Sequence, residues 1–519
     1  MIAVVGSGPD SLAAAFYLAR AGLKPVVFER RDTIGGGAIT GEIHPGFRCP
    51  TLSHEILIHA DIVRAMDLRT RGADLFSPDV EVCAPALEGP GLVIHADPAR
   101  TAKALRALGR RDAQAWLAFR VSIERIAAAI APLLAAPPPA DPLGAGDALS
   151  LLTAGRRFRG LGTRDGYRLL RWLPMPVADL VHEWFDHDLL RATIAGPGVS
   201  GSMLGPRSAG SSLVLLLREA HRRLAGGQPL RARGGPGAVT QAMAAAARAA
   251  GAEIHTGSPV ERIVTRGGGV AGVFVAGREI GASAVVSGAD PKTTLLGLLD
   301  PFDLAPDTAR KIRHYRAAGT LAKVNLALSG LPSFSGIDGA DALSGRIHVG
   351  PTLDYLERAF DHVKYGEMSE EPWLEIMIPS LLDPHLAAGG THVASIYVHC
   401  APRRLKAGDW SAHRDELLRR TLAVLERFAP GVSALVVASQ ILTPADLEGD
   451  FGFGGGHVFH GELAPDQLLA MRPPTGSSGY ATPVRGLFLC GAGTHPGGFL
   501  TGASGRLAAA EVIRASSRS

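Results

Sequence analysis

The residues best suited to chemistry lie at the start of the chain. Gly6-Ser7-Gly8-Pro9-Asp10-Ser11 directly follows the apolar run Ile2–Val5, and Glu29 closes a second apolar run that begins at Pro25. Glycine at position 6 lets the chain turn sharply out of a strand. Glycine at position 8 lets backbone amides at a helix N-terminus approach a pyrophosphate, whose charge suits the positive end of the helix dipole. A carboxylate roughly 20 residues further on accepts both hydroxyls of an adenosine ribose and disfavours a 2′-phosphate. The third small position of this fingerprint is Ser11 rather than glycine, which still permits close helix–strand packing. A purely structural glycine turn is the competing reading. Dinucleotide binding is favoured because strand, turn, helix, second strand and terminal acid all fall in order.

Other polar groups are less decisive. His457, His460 and Glu462 lie close together, yet glycine surrounds them and the spacing is not that of a helical HExxH site, so a loop-shaping or cofactor-facing role is favoured and no metal is expected. Cys49, Cys83, Cys400 and Cys490 are far apart and form no CxxC pair, so neither a zinc ribbon nor a dithiol redox centre is indicated. Cys490 reads as an inert small hydrophobe on a buried strand. Between Arg156 and Val181, six arginines mix with Leu169, Leu170, Trp172, Leu173 and Met175. A basic solvated surface is the first reading of this stretch, and peripheral contact with an anionic bilayer is the second.

Those residues need elements to hold them. An Ala-rich helix runs from the first turn to about Ala21, with Gly22 as its stop, and Pro25–Glu29 reads as the next strand, completing a β-α-β unit. From about Asp74 to Leu230 the pattern becomes helical, as in Asp112–Ala136, broken at Pro137-Pro138-Pro139 and at Leu143–Gly146. An α/β pattern returns with a helix at Ala238–Ala250 and strands at Glu253–Thr256 and Ala284–Ser287. Between those strands, Val260–Thr265 and Gly272–Val275 read as a hairpin. Strands at Leu321–Leu328, Trp373–Ile378 and Val393–His399, with a helix at Trp410–Phe428, suggest a second domain. Leu487–Cys490 and a helix from about Gly502 to Ala515 close the chain with another strand–turn–helix.

The bulk numbers agree with a multi-domain globular enzyme. The chain has 519 residues, 46% hydrophobic and 20% charged, with 64 Gly and 36 Pro. A net charge of +4 from 53 basic and 49 acidic residues, spread along the chain, gives no reason to expect nucleic acid. Ile2–Val5 leaves no room for a leader, and no apolar run reaches the roughly 18 residues of a spanning helix, so a cytoplasmic location is expected. Oligomeric state is not legible.

The motif Glu29-Arg30-Arg31-Asp32-Thr33-Ile34-Gly35-Gly36 resembles the flavin fingerprint of the FAD-dependent amine oxidase and phytoene desaturase superfamily. The tail Cys490-Gly491-Ala492-Gly493-Thr494-His495-Pro496-Gly497-Gly498 and Thr501-Gly502-Ala503-Ser504-Gly505-Arg506, with His460-Gly461-Glu462-Leu463 and Met471-Arg472-Pro473, resembles its phytoene-dehydrogenase-related branch. The resemblance spans the chain and implies an α/β fold: a Rossmann-like FAD-binding domain from the discontinuous segments 1–73, 231–300 and 446–519. An α+β substrate domain with a helical insert, from 74–230 and 301–445, would complete it. It implies that Gly6, Gly8, Pro9, Asp10 and Ser11 meet the pyrophosphate, that Glu29 holds the adenine ribose beside Arg30, and that Val260 meets the adenine through its backbone. Gly35, Gly36 and Gly37 would pass along the flavin, Gly491, Ala492 and Gly493 would reach the ribityl and pyrophosphate, and Phe499, Leu500 and Gly502 would lie near the flavin O2 edge. Many amine oxidases carry arginine where this chain has Gly37, so that contact does not transfer.

By the same resemblance Lys323 stands where a lysine holds water against flavin N5, the competing reading being a strand-edge lysine in solvent. His495 is a second catalytic candidate, equally well read as satisfying loop amides. The implied activity is hydride transfer between a CH–CH or CH–NH bond of an apolar small molecule and flavin N5. A flavin-dependent isomerase and a non-catalytic flavin-bound scaffold or chaperone are the alternatives. No second nucleotide fingerprint supports an obligate nicotinamide partner.

Overall fold

The computed structural model describes residues 1–139, 145–473 and 480–517, so the break read at Leu143–Gly146 lies partly outside the described residues. Its first layer is a parallel sheet in the order Leu487–Leu489, Ala284–Ser287, Ile2–Val5, Pro25–Phe28, Glu253–His255. All four residues of Ile2–Val5 and of Ala284–Ser287 are buried, as strands covered on both faces must be. One face carries the helices Pro9–Arg20, Gly235–Ala249 and Ala503–Ser516. The other packs on an antiparallel sheet of Val260–Arg266, Gly269–Val275 and Arg278–Gly281, which adds a third strand to the expected hairpin.

Alanine and glycine let the first helix approach its neighbours closely. A side chain at Gly505 would place its Cβ 1.7 Å from the Asp10 carbonyl oxygen, and one at Gly288 would lie 2.0 Å from Ser11 Oγ. The serine in the third fingerprint position is thus accommodated by a glycine on the facing strand end.

The second layer is a seven-stranded sheet in the order Val436–Leu442, Leu321–Leu328, His392–His399, Leu374–Met377, Arg346–Val349, Val80–Ala84, Leu92–His95. Only the pair Arg346–Val349 and Val80–Ala84 runs parallel. Residues 74–230 therefore supply a hairpin to this sheet before the helices begin. In Leu321–Leu328 all eight residues are buried. Ala322, Val324, Leu326 and Leu328 face the helix Trp410–Phe428, so strand alternation turns Leu321, Lys323 and Asn325 toward the flavin-domain side. A helical layer that includes Arg110–Ala135 and Ser211–Leu224 closes that side. Among the described residues, no helix is long and apolar enough to cross a membrane.

Candidate active site

A cavity of about 430 Å³ opens at the carboxyl ends of the parallel strands and continues to the seven-stranded sheet. Its first wall is the turn from Gly6 to Ser11, with Glu29, Arg30, Pro259 and Val260 beside it. Gly6 has φ +84°, which favours glycine, and it releases the chain from the strand. Gly8 caps the helix Pro9–Arg20 at an ordinary φ of −63°, and a Cβ there would meet no protein atom within 4 Å. The turn is therefore a cradle with open space before a helix N-terminus, which fits a dinucleotide pyrophosphate. Glu29 is buried in the same wall: Oε2 accepts from the Ser7 amide at 2.8 Å and Oε1 from the Arg31 amide at 2.9 Å. Its carboxylate is held by the turn it would serve. Burial pushes the Asp10 carboxyl up to about 7 despite the amides of Gly505 and Ser504.

The middle of the cavity is lined by Gly36, Gly37, Phe453, Phe459, His460, Gly491, Ala492, Phe499 and Leu500. A Cβ at Gly37 would lie 2.8 Å from the Phe453 ring, so an aromatic edge fills the space a larger residue would need. Arg472 ties these loops together from behind. It is fully buried and donates to the carbonyls of Phe459 at 2.6 Å, Glu462 at 2.8 Å and Ala492 at 2.8 Å. His460, whose φ is left-handed, is thus fixed at the cavity wall between the Phe459 and Gly461 carbonyls that Arg472 holds.

The far end is polar as well as apolar. Leu321, Met377, Tyr397 and Val458 line it together with His54, Glu55, Ser200, Arg218, Arg231 and Arg346. The His54 and Tyr397 rings lie 3.9 Å apart. Behind them sits Lys323, wholly buried, with Nζ donating to Ser395 Oγ, 3.3 Å from His54 Nδ1 and 4.6 Å from the Tyr397 ring centre. Burial pushes its ammonium down to about 7. Burial and the neighbouring Lys323 hold His54 well below the usual imidazole range, leaving Nδ1 as an acceptor. Burial alone would raise the Glu375 carboxyl, but Arg346 and the 3.1 Å contact from His399 outweigh it and keep it ionised.

Residues 180–513 match the family "Flavin containing amine oxidoreductase", and residues 4–62 match "NAD(P)-binding Rossmann-like domain". The chain is 36% identical, over 98% of its length and 93% of the relative's, to Pyridine nucleotide-disulfide oxidoreductase domain-containing protein 2 of Rattus norvegicus. It belongs to the flavin containing amine oxidoreductase family. It is also similar to a limonene dehydrogenase polypeptide of Castellaniella defragrans, at 25% identity over 99% of this chain and 94% of that one. In fold it matches an oxidoreductase from Methanosarcina mazei, with a TM-score of 0.62 at 17% identity over 99% of both chains. The protein is an FAD-dependent oxidoreductase. The words "disulfide oxidoreductase" in the rat protein's name find no counterpart here, because all four cysteines are free and buried.

Within this flavoenzyme the cavity brings together fourteen of the seventeen residues expected at the cofactor, from Gly6 to Leu500. Gly35 lies just behind, its amide 3.1 Å from Ser7 Oγ. Gly493 packs on Pro291, and Gly502 packs on Ile62 as it starts the last helix, so neither lines the cavity. Lys323 stands one side chain behind the wall rather than on it. His495 is turned away: its buried ring places Nε2 3.0 Å from the carbonyls of Leu133 and Ala136, at the end of the helix Arg110–Ala135. Of the two readings of His495, this geometry favours the histidine that ties loop backbone, here through carbonyls rather than amides, over one that approaches the flavin ring. The three residues read together near the chain's end also separate. His457 Nδ1 accepts from the Phe459 amide at 3.1 Å, His460 faces the cavity, and Glu462 pairs with Arg316 at 2.8 Å. In the basic segment Arg168 pairs with Asp165 and Arg171 with Glu183, while Tyr167 and Leu170 stay exposed.

Proposed function

We propose that this oxidoreductase removes a hydride from a CH–CH or CH–NH bond of a small molecule whose reacting part is apolar. The observation that carries this reading is one continuous cavity. It joins the dinucleotide cradle to a wall of Leu321, Met377, Tyr397, Val458 and Phe459, where a C–H bond can be held away from water. Bound flavin supplies the hydride acceptor at N5. Backbone amides after Gly6 and Gly8 would bind its pyrophosphate, Glu29 would accept the ribose hydroxyls, and Gly36, Gly37, Gly491 and Ala492 would allow close approach along the rest. Phe499, left-handed in φ, would present the backbone of residues 499 and 500 to the ring edge.

Lys323 acts in this reading as a positioning residue. It donates to His54 Nδ1 and fixes that imidazole against Tyr397, while its ammonium, poised near neutrality, holds or yields a proton at Nζ during turnover. The likeness to a limonene dehydrogenase, whose named substrate is a hydrocarbon, favours the CH–CH bond. Anaerobic mixing with matched alkenes and amines tests the choice. Bleaching of the flavin by alkenes alone supports the CH–CH reading, bleaching by amines alone replaces it, and product formed without bleaching points to an isomerase.

A further inference from the structure

The far end of the cavity carries more positive charge than an apolar substrate calls for. Arg218 comes from the helix Ser211–Leu224, Arg231 from the short strand Arg231–Ala232, and Arg346 from the substrate sheet, yet all three line the same wall. Two of them are compensated: Arg218 Nη2 lies 2.8 Å from Glu55 Oε1, and Arg346 Nη1 lies 2.7 Å from Glu375 Oε1. Arg231 is not. Its Nη1 donates to the Leu230 carbonyl at 3.1 Å, its Nη2 faces Met377 Sδ at 3.5 Å, and its Nε is buried without a partner. Among the described residues no carboxylate forms an ion pair with it, and Arg346 Nε is buried and unpartnered as well.

The other ionisable groups nearby do not repair this. His54 and His399 are held below the usual imidazole range by burial, and Lys323 behind them adds positive charge or none. Glu81 and Glu219 are taken by Arg222, at 2.8 and 2.9 Å. A guanidinium does not give up its proton at physiological pH, and Arg231, half-buried at the cavity wall, keeps a positive charge there with no carboxylate paired to it. Its planar fork matches a carboxylate through two parallel N–H···O bonds. Arg231 lines the cavity beside the apolar Leu321 and Met377 and the Tyr397 ring, and the Glu55 carboxylate on the same wall is already paired with Arg218.

We propose that Arg231, flanked by Arg218 and Arg346, is the anchoring subsite for a carboxylate carried by the substrate, so that the substrate is an apolar acid rather than a neutral hydrocarbon. The inference deepens the proposed function and rests on it only in assigning this end of the cavity to the substrate. Binding at the subsite requires no turnover.

The test uses the FAD-loaded protein, in which the phosphates of the dinucleotide are already bound and cannot account for a new anion site. Decanoate and its methyl ester are titrated by calorimetry and by the shift of the bound flavin's visible absorbance. Wild-type protein is expected to bind decanoate at least ten-fold more tightly than the ester. Arg231→Met is expected to lose that preference by weakening decanoate at least ten-fold while the ester is unaffected, and Arg231→Lys to keep part of it. Equal affinity for acid and ester, absence of decanoate binding up to its solubility, or full decanoate affinity in Arg231→Met would each overturn the proposal. The wild-type acid-to-ester comparison decides the matter even if the variants fail to fold. If no organic compound ever bleaches the flavin but decanoate is still preferred over its ester, the redox reading fails and the carboxylate subsite stands.

Discussion

Gly8→Leu separates the cofactor cradle from the fold more cleanly than any other change. At Gly6 or Gly36 a side chain would strain a left-handed backbone, at φ +84° and +58°, so a lost flavin there would not distinguish binding from folding. Gly8 has φ −63° and ψ 168°, open to any residue, and its Cβ would meet nothing within 4 Å. The cost to the fold is the weaker helix cap, about 1 kcal/mol. The cost to the cofactor is larger, because an isobutyl group in that open space displaces the pyrophosphate from the amides of the helix N-terminus. Loss of two charge-assisted hydrogen bonds at about 1.5–3 kcal/mol each gives roughly 3–6 kcal/mol, or on the order of a hundred- to ten-thousand-fold in Kd. Fluorescence titration of apoprotein with FAD, beside a denaturant unfolding curve, measures both. A variant that folds normally and takes up FAD with wild-type affinity would refute the placement of the pyrophosphate.

Glu29→Gln keeps the shape that accepts from Ser7 and should weaken FAD by roughly 1.5–3 kcal/mol, read in the same titration; unchanged affinity would remove the ribose from this wall. For Lys323 the sign follows from an ammonium lowered from 10.5 to about 7: between those values the unfolded chain binds a proton that the folded chain does not. Stability therefore rises from about pH 7 to about pH 10 on this account. Lys323→Met should flatten that slope in denaturant unfolding, stabilise the protein most at the acid end, and slow flavin reduction or reoxidation by about tenfold or more. Identical slopes in both proteins would show the lysine to be solvated, and wild-type half-reactions would remove it from turnover. Gly505→Ala should cost about 1–3 kcal/mol or more, because its Cβ would lie 1.7 Å from the Asp10 carbonyl oxygen and force the first and last helices apart; an unchanged melting temperature would contradict that packing.

The flavin half was legible in the sequence because its signals are local. Ile2–Val5 and Ala284–Ser287 are short apolar runs that each end at a glycine, and the turn Gly6–Ser11 lies within one β-α-β unit. The hairpin Val80–Ala84 and Leu92–His95 was not, since its place beside Arg346–Val349 depends on a pairing across some two hundred and sixty residues that no local pattern announces. Edge strands such as Val436–Leu442, half-exposed along its length, also lack the continuous apolar run that marked Leu321–Leu328. The substrate end was hidden for the same reason. His54, Arg218, Arg231, Arg346, Glu375 and Tyr397 come from separate segments and share one wall only after folding. Arg231, three residues ahead of the turn at Gly234, carries no signal of its own in the sequence. Its missing carboxylate is visible only in three dimensions. For His495 the glycine-rich motif left a flavin-facing and a loop-tying reading level, and only the fold shows its ring nitrogen at the carbonyls that end a helix.

The central claim is that substrate hydrogen ends on the flavin, and anaerobic single-turnover mixing measures this directly. FAD-loaded protein is combined with apolar carboxylic acids, and both the visible flavin band and the organic product are followed. One flavin is expected to bleach for each molecule of product that has lost two hydrogens. Product formed while the flavin stays oxidised would contradict it.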